Sequence, residues 1–125
     1  MQGNTGPYLQ YAIARIRSIL RKLEFTNEED VKIFSHPETE AEIDLARKLL
    51  HFPIALEHAS RELKPHLLCT YLYELATEFS SFYNREKVIV DDQKVQGTRL
   101  LLCLNCHHIL VTGLELLGIS CLDEM

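Results

Sequence analysis

The chain runs to 125 residues, 46% hydrophobic and 25% charged, which suits one globular domain with a core of its own. Its formal net charge of -5 argues against a strong non-specific nucleic-acid binder, which ordinarily carries a basic surface. No apolar run approaches bilayer-spanning length and no signal-peptide pattern opens the chain, so a soluble, cytoplasmic monomer with no membrane partner is expected.

The first predicted helix has two different sides. Ile13, Ile16, Leu20 and Leu23 share one arc, while Tyr8, Tyr11, Arg15 and Lys22 fall within another wedge of roughly 60°. One side can pack while the other displays two flat rings beside two cations. Rings give unpaired bases something to stack on, and Arg or Lys gives phosphates something to approach. Two tyrosines at the edge of a helix-packing seam would leave the same pattern. Arg15, Arg17, Arg21 and Lys22 also crowd this helix, although such clusters are commonly solvated faces.

Prolines and polar clusters divide the rest of the chain. Glu28-Glu29-Asp30 reads as a solvated charge run in a connector. Thr39-x-x-Glu42 has capping-box form, with Ile43, Ala46 and Leu50 behind it at helical spacing. Pro53 suits the first turn of a short helix ending near Leu63, and Pro65 that of a longer one. In the longer helix Leu68, Leu72, Leu75, Phe79 and Phe82 recur on one side as a core stripe. Residues 86–97, with Asp91-Asp92-Gln93 and Gly97, read as a polar loop. A last helix beginning near Thr98 carries Leu100, Leu104, Val111 and Leu114 on one face, and Gly118 stands at its C-cap. Val88-Ile89-Val90 is too short to seed a sheet. With no internal repeat, the pattern predicts a single all-α domain over residues 1–125, a bundle of about five helices.

Four cysteines invite metal and redox readings. Cys103-Leu104-Asn105-Cys106-His107 has the spacing of a c-type haem attachment, but Cys103 and His107 fall on the apolar side of their helix. Zinc would need further ligands at short spacing, and Cys69 and Cys121 stand apart, with His107 and His108 on different sides of one helix. No phosphate-cradling glycine loop and no nucleophile elbow occurs. Neither a resident cofactor, a metal nor a catalytic residue is expected.

Three stretches read together carry a resemblance. The opening Gly3-Asn4-Thr5-Gly6-Pro7-Tyr8-Leu9-Gln10-Tyr11-Ala12-x-Ala14-Arg15-Ile16 is similar to the start of the C-terminal anticodon-binding domain of arginyl-tRNA synthetases, known as the DALR domain. Leu75 through Ser80-Ser81-Phe82-Tyr83-Asn84 resembles the same family. So does Thr98-Arg99-Leu100 running on to Thr112-Gly113-Leu114-Glu115-Leu116-Leu117-Gly118-Ile119, and these synthetases commonly end a few residues later on a methionine, here Met125. The likeness covers the chain from about residue 3.

The resemblance implies that Tyr8, Tyr11 and Tyr83 lie against the anticodon loop of arginine tRNA, with Met125 approaching it. Arg15 and Lys22 beside the tyrosines, and Asn84 and Arg99 within the similar stretches, complete the RNA-facing candidates. Glu124 stands where relatives usually carry Arg, and Ile13 replaces a histidine or tyrosine. The His-x-Gly-His and Lys-Met-Ser-Lys-Ser signatures for ATP chemistry have no counterpart here. ATP and magnesium would therefore serve the catalytic domain of a parent ligase, and this domain alone is not expected to ligate arginine. The chain reads as a fragment of that ligase or as a free-standing tRNA-binding adaptor for a modifying enzyme. A helical protein-interaction module is the third alternative, and an organelle the alternative compartment.

Overall fold

Capping residues and prolines cut the chain into helices largely where the sequence places them. In the computed structural model, which describes residues 5–118, α1 spans Thr5–Leu23, α2 Glu40–Leu50, α3 Phe52–Arg61, α4 Pro65–Arg85 and α5 Gln93–Leu117. A 3-10 turn covers Glu28–Asp30, and no strand occurs among the described residues. The all-α expectation holds. At α2 the capping box is closed in both directions: Glu42 N–H donates to Thr39 Oγ1 at 3.2 Å, and Thr39 N–H to Glu42 Oε1 at 3.0 Å. Pro53 and Pro65 occupy first turns, where the missing N–H has no intrahelical partner to lose. His51 ends α2 and begins α3, so the two act as one helix bent at that residue.

Several boundaries differ from expectation, each for a local reason. Helix α5 begins at Gln93 rather than near Thr98, because Asp92 Oδ1 accepts from the amides of Lys94 at 2.9 Å and Val95 at 3.3 Å. Gly97 thus lies inside the helix and not in a loop. A Cβ there would sit 1.7 Å from the Ile33 carbonyl oxygen, so only glycine lets the connector cross α5 so closely. Gly118 does cap α5, but in the right-handed region with φ -55. Helices α1 and α3 end instead on left-handed residues that are not glycine, Glu24 at φ 58 and Leu63 at φ 55. The amides of Phe25 and Lys64 then reach back 3.0 Å to the Leu20 and Ala59 carbonyls, which makes Schellman ends without their usual residue. The Glu28–Asp30 run is also more than a solvated patch. Asp30 accepts from the amides of Thr26 and Asn27 and from the Thr26 hydroxyl, and these bonds hold its carboxyl below the usual range.

Contacts along the helices fix their directions. Tyr8 meets Tyr73 and Thr77, while Arg15, further along α1, meets Tyr83, further along α4, so α1 and α4 run parallel. Helix α2 runs against α4: Lys48 pairs with Glu74 at 2.7 Å, and Arg85 reaches Glu40 at 3.4 Å. The stripe Leu68, Leu72, Leu75, Phe79 and Phe82 is buried, together with Leu9, Ile16, Leu45, Leu100 and Leu110. Each such side chain contributes roughly 1.5–3 kcal/mol on leaving water.

One exclusion made from the sequence does not survive. At 25 residues, α5 is long and apolar enough to cross a bilayer by length and composition. Its place in the fold supplies another reason for that composition, since it packs against α1, α2 and α4 and half of its apolar stretch is buried among them. In the sequence, Asn105, His107 and His108 interrupt the apolar run.

Candidate nucleic-acid interface

Parallel packing sets the tyrosines of α1 beside those of α4. Near the start of α1, the Tyr8 ring lies 5.0 Å from the Tyr73 ring, with the two planes at 38°. One turn on, Tyr11 is 59% exposed. One more turn brings Arg15, whose guanidinium carbon sits 4.7 Å from the Tyr11 ring centre and 4.5 Å from that of Tyr83. A planar cation thus lies between two rings from different helices, and its Nη2 also donates to the Tyr11 hydroxyl. Tyr83 is 38% exposed, and its ring is 6.1 Å from the buried ring of Phe79, as a place on the flank of the core stripe predicts.

The other candidates are distributed differently. Lys22 and Asn84 are exposed. Met125 lies outside the described residues. Arg99 departs most from expectation, being buried at 8% exposure. Its Nε donates to Glu42 Oε2 at 2.6 Å, Nη1 to the Lys87 carbonyl at 2.6 Å and Nη2 to Glu86 Oε1 at 3.3 Å. With all three nitrogens engaged, Arg99 clasps α2 and the α4–α5 connector to α5 and does not belong to an RNA-facing surface. Burial alone would raise the Glu42 pKa, but the bonds from Arg99 and from the Glu38 and Thr39 amides overcome that and hold it below the usual carboxylate value.

Cys103 and Cys106 are fully buried, and burial pushes the Cys103 thiol up to about 12. Neither sulfur can meet a haem edge without unpacking the core. His107 accepts from Arg17 Nε at 3.0 Å. Burial first, then Arg17 and His108, lowers its pKa and favours the neutral ring that this bond requires. Tyr73 is absent from the candidates drawn from the sequence. Its signal there is a position off the core stripe of α4, within about 20° of Asn84 on the helical wheel.

Residues 9–125 match the DALR anticodon binding domain. The chain is 45% identical to the arginine–tRNA ligase of Pasteurella multocida (strain Pm70), over 99% of its own length and 22% of that protein's. It is 47% identical to the arginine–tRNA ligase of Frankia casuarinae, over 98% and 21%. The arginyl-tRNA synthetase of Thermus thermophilus superposes with a TM-score of 0.78 at 37% identity, over 94% of this chain and 20% of that one. The chain thus spans about a fifth of the length of these relatives, and across that span both sequence and fold agree. It belongs to the DALR anticodon-binding domain family.

Proposed function

We propose that this domain docks the anticodon loop of arginine tRNA on the α1/α4 aromatic face, as the tRNA-gripping part of an arginine–tRNA ligase. Tyr8, Tyr11 and Tyr83 offer ring faces to unpaired bases, and Arg15 and Lys22 meet the backbone. The observation that carries the reading is the Arg15 guanidinium lying against both the Tyr11 and Tyr83 rings, which sets two exposed aromatics from different helices beside one cation. Each base stacked on such a ring contributes roughly 1–3 kcal/mol, so a few rings support binding without a basic protein. Anticodon bases suit such a face because they are single-stranded and can splay outward.

Ligation itself belongs to the rest of such an enzyme, in the translation machinery of the cytoplasm. Among the described residues, no group of three or more His, Cys, Asp or Glu side chains is arranged to hold a metal. The test is a titration of fluorescent anticodon stem-loops, arginine and non-cognate, into the domain at about 50 and 200 mM salt. Cognate preference that persists at the higher salt is expected. Equal, salt-sensitive binding of both would reduce the face to generic charge attraction.

A further inference from the structure

Tyr73 has no part in the proposed docking, yet it is 46% exposed and is the ring that continues the aromatic face beyond Tyr8. The Thr77 hydroxyl has one proton, which goes to the Tyr73 carbonyl at 3.0 Å. In the 3.5 Å contact between Tyr8 and Thr77, the Tyr8 hydroxyl is therefore the donor. Tyr8 is held from two sides and packs against the core, while the Tyr73 ring it braces stays nearly half exposed.

The face thus has two decks. Tyr73 with Tyr8 forms one, and Tyr11, Arg15 and Tyr83 form the other. Tyr8 and Tyr11 are about 4.5 Å apart along α1, whereas Tyr73 and Tyr83, ten residues apart on α4, are separated by about 15 Å of rise. Nucleotides a few positions apart in a single strand can splay their bases onto separate rings, with a phosphate of the strand near Arg15, the cation against Tyr11 and Tyr83. We infer that Tyr73 is a second base-stacking platform, taking an unpaired nucleobase of the same RNA strand that enters the Tyr11–Tyr83 slot. The inference rests on the proposed docking of the anticodon loop.

The experiment uses the 125-residue chain and arginine anticodon stem-loops carrying 2-aminopurine at each unpaired position in turn. Wild type, Tyr73→Ala, Tyr73→Leu, Tyr73→Phe and Tyr83→Ala are titrated, with folding checked by circular dichroism. Tyr73→Ala and Tyr73→Leu should each weaken binding about tenfold, the worth of one stacked base, while Tyr73→Phe binds as wild type. Both weakened variants should relieve quenching at one loop position, different from the position relieved by Tyr83→Ala. If Tyr73→Leu binds as wild type while Tyr83→Ala is weak, Tyr73 only packs on Tyr8, and the platform is lost with the anticodon reading intact. A weak Tyr73→Phe would replace stacking by a hydroxyl contact and also overturns the platform. Should neither Tyr73→Ala nor Tyr83→Ala change binding, the anticodon reading of the whole face falls and this inference with it.

Discussion

Arg15 and Arg99 do opposite things with the same side chain. Arg15 lies between two exposed rings, held by one hydroxyl and two π-faces, and each of these contacts can be exchanged for a ligand. Arg99 is buried, with every nitrogen committed to Glu42, Glu86 or the Lys87 carbonyl. The first arrangement leaves a cation available for recognition, and the second uses one up in joining three segments. A sequence resemblance places both in the same class, because it records which residues recur and not where their hydrogen bonds go.

Breaking the buried arrangement should have the largest effect. Arg99→Met leaves the Glu42 charge buried without its partner, and should cost about 3–5 kcal/mol in urea unfolding. Adding Glu42→Gln, which keeps an acceptor for the Thr39 amide but removes the charge, should recover part of that loss. RNA affinity per folded molecule should not move in either variant, and a specific loss would return Arg99 to the RNA face. The same pair gives the protein an acid limit. Because the folded pKa of Glu42 lies below its ordinary 4.5, the unfolded chain takes the proton first. The stability this supplies is complete above that range and disappears as pH falls through the folded value. Urea midpoints measured against pH should therefore fall less steeply in acid for Glu42→Gln than for wild type.

On the exposed face, Tyr11→Ala and Tyr83→Ala should each weaken anticodon stem-loop binding by roughly 1–3 kcal/mol while leaving the urea midpoint nearly in place. A fall in stability without loss of binding would make these rings packing residues. The smallest effect is expected at Arg15. Arg15→Lys keeps the charge but loses the planar group between the rings, at about 0.5–1 kcal/mol of binding. Arg15→Ala should in addition lower the slope of log affinity against log salt by about 0.7, the share of one phosphate contact on a single strand. An unchanged slope would show that Arg15 serves only to fill the slot.

Much of the fold is legible in the sequence because it depends on near neighbours in the chain. The Thr39 capping box, the prolines of α3 and α4 and the Leu68-to-Phe82 stripe are all local patterns. The early start of α5 is hidden because Gly97 signals a loop, and only the distant Ile33 carbonyl explains a glycine inside a helix. The ends of α1 and α3 are blurred because Glu24 and Leu63 adopt left-handed backbone with no glycine to announce it. At the candidate site, Tyr8, Tyr11 and Arg15 are legible as one side of a helix, and Tyr83 through its place in a resembling stretch. Their partnership across two helices depends on tertiary packing, and so does the burial of Arg99, whose partners Glu42 and Glu86 are 57 and 13 residues away.

The slot between Tyr11 and Tyr83 has a width that neither residue sets. Tyr83 rests on Phe79, which is wholly enclosed, and α1 contributes Leu9 and Ile16, also enclosed, to the same core. The interior therefore acts as a spacer that gauges the opening outside. A change such as Phe79→Leu, invisible from solvent, would move the Tyr83 ring that rests on it, so drift in the core is inherited as drift in the spacing of the exposed rings.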